Sequence, residues 1–287
     1  MRSTRLLALL LLTAGLAGAE TPPRVPGQAY FGRNRYVEYI AGSLPIVLSA
    51  PHGGREQPEE LPDRTAGTFA FDVNTQELAR AIDEAFVART GQHPHVILCR
   101  VSRRKVDCNR EIAEGAAGHP LTEQTWKDFQ GFITEARAAV IAQHGKGFYI
   151  DLHGHGHPDG RLELGYAHGR ADLALKDEEL GRPALAAKGT LNLFAVKEPA
   201  AYPALLHGPR SLGGLLESAG FPATPSPAKP VPEEPFFNGG YNSRTHTAAG
   251  TRFAGLQIET NSKGVRDTEA NRRRFAAALV ELSLIHI

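Results

Sequence analysis

The run Gly147 to His157, GFYIDLHGHGH, constrains the fold of this chain more than any other stretch. Phe148-Tyr149-Ile150 is too short for a helix and too apolar for a loop, so it reads as a buried strand that delivers Asp151, His153 and His155 to its C-terminal end. Residues two apart in extended chain share a face, which places those three side chains together with Leu152 packed behind them. Gly154 and Gly156 leave room for something to approach. A strand end followed by a solvated turn would look similar, and His155 and His157 read as solvent-facing; several His at alternate positions nevertheless suggest a metal, and one segment cannot complete a metal site.

The remaining periodicities build a sheet around that strand. Tyr36 to Ile40 alternates, Leu44 to Ala50 reads as a second buried strand running into Pro51-His52-Gly53-Gly54, and His95 to Val101 reads as a third. Asp72 opens a helix carrying Leu78, Ile82 and Phe86 on one stripe, and Trp126, Phe129, Ile133, Ala136 and Val140 mark another from Thr122 to His144, stopped by Gly145. Arg161 to Tyr166 reads as a strand, Pro209 to Ala219 as a short helix, Gly255 to Glu259 as a last strand and Asn271 to Leu282 as a closing helix. Phe221 to Phe237 holds six prolines and reads as a long surface loop, a lid or a spacer. Alternating strands and helices predict an α/β fold: one mixed, mostly parallel sheet in a single domain, with helices on both faces.

Composition adds limits. With 287 residues, 41% of them apolar, the chain can bury a large core, and a net charge of +1 gives no basic excess for nucleic acid. Arg2 and Arg5, the apolar run Leu6 to Leu12 and the small residues ending at Ala19 read as a secretory signal over residues 1–19, cleaved near Glu20. Residues 20–282 would then be the mature domain, secreted or periplasmic, with no membrane association after signal removal. Residues 283–287 resemble a non-native tail and are set aside. Export would permit Cys99 and Cys108 to pair, and two buried thiols fit the sequence equally well.

Four polar clusters fall at or just after strand ends: His52 with its glycines, Asp107 to Arg110, Asp151 to His155, and Glu259. A parallel sheet gathers such ends along one edge. Two His and a carboxylate around an open position is the zinc-hydrolase arrangement, and a further carboxylate is needed there to carry protons.

The residues Pro51-His52-Gly53-Gly54, Asp107-Cys108-Asn109-Arg110, Asp151 to His155, Phe237 to Arg244 and Leu256 to Thr260 resemble the N-formylglutamate amidohydrolase family, related to the zinc carboxypeptidases, over roughly Leu44 to Asn261. The resemblance implies a phosphorylase/hydrolase-like fold, one zinc ion and cleavage of an amide beside a carboxylate. It assigns His52 and His153 as metal ligands and leaves the third open between Asp72, which is preferred, and Glu56. Asp at a helix start also commonly caps backbone N–H groups. Glu259 matches the general base, Arg110 with Asn109 the grip on a substrate carboxylate, and Arg103 or Arg104 a group that steadies the oxyanion. Asp107 would anchor its loop, Asp151 would orient His153, and Arg244 is a second candidate for substrate charge.

The export signal and the glycine-rich variants around His52 and His153 separate this chain from cytosolic deformylases of that family. An exported enzyme would meet an N-acyl amino acid or a peptide end rather than a cytosolic metabolite. An exported cell-wall or poly-γ-glutamate-type peptidase is the alternative enzyme, and a periplasmic zinc- or solute-binding protein the non-enzyme alternative.

Overall fold

The computed structural model describes residues 24–195 and 198–283, so the signal segment and the last four residues lie outside the described residues. Among the described residues eight strands form one sheet in the order β1-β2-β4-β3-β5-β8-β6-β7. They are β1 (Ala29–Phe31), β2 (Val37–Ile40), β3 (Ile46–Ala50), β4 (His95–Cys99), β5 (Gly147–His155), β6 (Leu162–Gly165), β7 (Ala223–Thr224) and β8 (Phe253–Asn261). β4, β3, β5 and β8 run parallel at the centre, with β2 and β6 antiparallel on either side. This is the mixed sheet the alternation predicts. The Pro-rich lead contributes β1, too short to show a period.

Alternation along the strands sorts the core into two layers. Ile46, Leu48, Ile150, Leu152, Leu256 and Ile258 face α1 (Thr75–Thr90) and the closing helix α5 (Glu269–Ser283), while Val47, Tyr149 and Phe253 face the long α2 (Pro120–His144). Leu78, Ile82 and Phe86 of α1 and Phe129, Ile133, Ala136 and Val140 of α2 are fully buried, as their helical spacing requires. Two further helices matter to the site's surroundings, α3 (Leu212–Ser218) and α4 (Tyr241–His246). Apart from the two residues of β7, Phe221 to Phe237 has no regular structure, in keeping with its prolines.

Two local readings are corrected. The helix expected at Asp72 begins at Thr75, because Asn74 takes a left-handed conformation with φ of 64°. Asp72 therefore lies before the helix; its backbone carbonyl accepts from the Thr75 N–H and hydroxyl, leaving its carboxylate free for other work. His155, expected to face solvent, is buried, and His157 is half-buried. The room left by Gly154 is filled by the Arg266 guanidinium, which donates to the backbone carbonyls of Thr260 and His155. Cys99 and Cys108 are both buried and free. No described helix is long and apolar enough to cross a membrane.

Candidate metal centre and active site

The face of the sheet that carries Val47, Tyr149 and Phe253 turns polar toward the C-terminal ends of its parallel strands. Ser49 follows Val47, Asp151 and His153 follow Tyr149, and Gln257 and Glu259 follow Phe253, all buried. Register sets them side by side: Ser49 pairs with Asp151, Asp151 with Gln257, and His153 with Glu259. The loop after β3 supplies His52, and the loop after β4 supplies Arg103, Asp107 and Asn109.

His52, Asp72 and His153 converge. Nδ1 of His52 lies 3.1 Å from Nδ1 of His153, Asp72 Oδ2 lies 3.1 Å from the latter, and the third side of the triangle is 3.5 Å. Tetrahedral ligands on zinc, with bonds of about 2.0 Å, stand roughly 3.3 Å from one another. The trio already has that spacing. The far nitrogen of each imidazole is spoken for, His52 Nε2 by Asp107 Oδ1 at 2.7 Å and His153 Nε2 by Asp151 Oδ2 at 2.8 Å. That is the carboxylate–imidazole support that fixes the tautomer of a metal-binding His. The donors present thus fit a zinc ion, and Asp72 rather than Glu56 is brought to the trio. Glu56 instead pairs with Arg100 at 2.6 Å.

Electrostatics show how strongly these groups are coupled. Burial alone would raise the Asp72, Asp107 and Asp151 carboxyls, but the imidazoles of His52 and His153 hold Asp72 and Asp151, and His52 with Arg103 holds Asp107, below the usual carboxylate range. Burial likewise opposes charge on His153, yet Asp151 and Asp72 raise it well above an ordinary His. A positive charge is favoured at the centre of the trio, whether carried by a proton or by a cation.

A cavity of about 230 Å³ opens over this centre, lined by both imidazoles, Asp72, Arg103, Arg110 and Glu259. Glu259 is buried; its Oε1 accepts from Gln257 Nε2 at 2.9 Å, and among the described residues its Oε2 has no partner. Burial, with Asp72 and Glu163 nearby and His153 pulling the other way, pushes its carboxyl up to about 8. An unpartnered carboxylate oxygen at a buried cavity wall is equipped to take a proton.

Arg103 is buried and donates from Nε to Asp107 Oδ2 at 2.9 Å, with its guanidinium on the cavity wall. Arg104 instead turns to Asp63 at the surface. Arg110 also lines the cavity, half-exposed, and among the described residues its one acidic partner is Glu114 at 3.2 Å. Asn109 is more committed than the sequence suggests: its Oδ1 accepts the Asn242 N–H at 2.8 Å, and its Nδ2 points toward Gln257 Oε1. Arg244 is exposed on α4, bonded to Asn238 at 3.0 Å, and is not among the residues lining the cavity.

The far wall is the segment Phe236 to Gly240. It crosses close to the sheet because Gly165 and Gly240 have no side chain. A Cβ on Gly165 would lie 2.5 Å from the Gly239 nitrogen, and one on Gly240 would lie 2.3 Å from Asn109 Nδ2. Sequence reasoning gave Asp107 only a loop-anchoring role and overlooked Gln257. The position of Gln257, two residues before Glu259 on the same strand, was an available sign that both share a face.

No protein-family model matches the chain, and no curated protein matches it at a significant level. Solved structures do. The N-formylglutamate amidohydrolase from Ralstonia eutropha JMP134 is similar with a TM-score of 0.52 at 13% identity, over 87% of this chain and 96% of that one. A gene product from Agrobacterium tumefaciens is similar with a TM-score of 0.51 at 17% identity, over 88% and 96%. The likeness is one of fold. It extends over nearly the whole of both solved chains.

Proposed function

We propose that this chain is a zinc-dependent amidohydrolase, similar to N-formylglutamate amidohydrolase, that cleaves the amide bond of an N-acyl amino acid or of a peptide end bearing a free carboxylate. The observation that carries this reading is the triangle of His52 Nδ1, His153 Nδ1 and Asp72 Oδ2, with sides of 3.1, 3.1 and 3.5 Å, in one cavity with an unpartnered Glu259 oxygen. The fold shared with an amidohydrolase supports it.

His52, His153 and Asp72 would hold one zinc ion, which when bound supplies Lewis acidity toward a carbonyl. The other roles fall to side chains of the chain itself. Glu259 takes the proton of the attacking water on Oε2 and passes it to the departing amine nitrogen. Arg103, fixed by Asp107, presents positive charge to the amide oxygen as negative charge develops there. Arg110 holds the substrate carboxylate with its planar guanidinium, and Asn109 fixes the loop on which Arg110 sits.

The test is turnover by chelator-treated protein on two panels, N-acyl glutamates and γ-glutamyl peptides, before and after zinc is returned. Loss on chelation with recovery on zinc is the expected result, and the panel that is cleaved identifies the substrate class. Hydrolysis indifferent to chelation would overturn the reading. In this reading the export signal read in residues 1–19 sends the enzyme to the periplasm or outside the cell.

A further inference from the structure

Beside the first trio, on the same face of the sheet, lies a second group of donors that the reaction does not use. His155 follows His153 by two residues at the end of β5, His157 stands on the turn beyond it, and Glu163 occupies β6 directly opposite Glu259. One donor atom from each of His155, His157 and Glu163 lies within 4.8 Å of the others. His157 Nδ1 is 2.5 Å from Glu163 Oε1, and His155 Nδ1 is 3.9 Å from that same oxygen. His155 Nε2 donates to the Arg161 carbonyl at 2.7 Å, which leaves Nδ1 as the lone-pair nitrogen, here accepting the His157 backbone N–H at 3.0 Å.

Charge argues that this group takes a cation. Glu163 is buried and sits across from the buried Glu259, two carboxyl groups on directly paired positions, where ionising both costs stability. Among the described residues Glu163 has no Lys or Arg within ion-pair distance; its partners are His157 and His155. A buried carboxylate left with two imidazoles and no fixed positive charge is a donor set of the kind zinc accepts, two nitrogens and one oxygen.

We propose that His155, His157 and Glu163 bind a second divalent cation of the zinc class, separate from the ion of the first trio. Binding exchanges two existing contacts. The proton between His157 Nδ1 and Glu163 passes to solvent, and the His157 backbone N–H that donates to His155 Nδ1 at 3.0 Å gives way. His157, half-buried on a turn, can adjust to open the 2.5 Å contact to the roughly 3.3 Å that ligands of one ion require.

The site would also reach the cavity wall. Glu163 Oε2 accepts the Phe237 N–H at 2.8 Å, and the His157 ring stacks on Phe237 with centroids 4.9 Å apart at 17°. A cation on Glu163 and His157 therefore pins the segment Phe236 to Gly240 that closes one side of the first cavity.

The experiment counts zinc. Full-length mature protein is stripped with chelator, dialysed, titrated with zinc alone by calorimetry, and its retained metal measured by mass spectrometry. Wild type is expected to take two equivalents, Glu163→Gln and His157→Ala one each, and His153→Ala one. Circular dichroism verifies that each variant is folded, and the wild-type count stands without the variants. If His153→Ala keeps the wild-type count while Glu163→Gln loses one, the second site holds and the first trio fails. If Glu163→Gln and His157→Ala keep the wild-type count, or if wild type takes a single equivalent that His153→Ala abolishes, the second site is overturned.

Discussion

The Nδ1 atoms of His52 and His153 meet at 3.1 Å although the two stand 101 positions apart in the chain. Each ring has its other nitrogen committed to a carboxylate, Asp107 for His52 and Asp151 for His153, so the two near nitrogens and Asp72 form a cage for positive charge.

Asp107 is the support of that cage most readily removed without touching a ligand. Asp107→Asn keeps the shape but can turn its amide N–H₂ toward His52 Nε2, which favours the wrong tautomer. Zinc affinity is expected to fall by about 10- to 100-fold, the usual cost of losing such a support. Competition against a fluorescent zinc chelator measures it, and unchanged affinity would remove Asp107 from the metal centre.

Glu259→Gln separates chemistry from metal binding. The amide can still accept from Gln257 but cannot shuttle a proton, so kcat is expected to drop on the order of 10²- to 10⁴-fold while zinc content stays at the wild-type level. A variant with full zinc and near-normal turnover would deny Glu259 its role.

Arg110 offers a guanidinium whose acidic partner, Glu114, is itself at the surface. Replacing it by Ala is expected to lower kcat/KM by roughly 10- to 100-fold for substrates with a free carboxylate, the worth of a charged hydrogen bond. Esterified substrates should be poor with wild type and insensitive to the variant. Equal loss on both kinds of substrate would assign Arg110 to the fold.

Acid stability depends on His95. Its Nδ1 accepts from the Tyr39 hydroxyl at 2.8 Å and from the Gly42 N–H at 3.1 Å, so the ring is held neutral. Burial, aided by the charge of His144, lowers it to about 4. Because the folded value lies below the unfolded one of about 6.5, this stabilisation is complete above pH 6.5 and declines by about 3 kcal/mol as pH falls toward 4. Urea midpoints recorded from pH 7 to 4 should fall steeply for wild type and less for His95→Gln, whose side-chain oxygen can accept the same two bonds.

Much of the fold could be read directly from the chain because its signals are local. The apolar stripes of α1 and α2, the run at β5 and the prolines after Phe221 each report on a few neighbouring residues, and a buried strand or an amphipathic helix follows from them whatever the rest does. The alternation of strands and helices then fixed the kind of sheet, and with it the expectation that His52, Asp107, His153 and Glu259 share an edge. What tertiary structure alone decided was which atoms meet. The left-handed Asn74 that frees the Asp72 carboxylate, the pairing of Asp107 with His52, the commitment of Asn109 to α4, the exclusion of Arg244 from the cavity and the burial of His155 against Glu163 all depend on contacts between distant segments. Such contacts leave no period in the sequence, because they are set by loop paths and strand register rather than by the residues on either side.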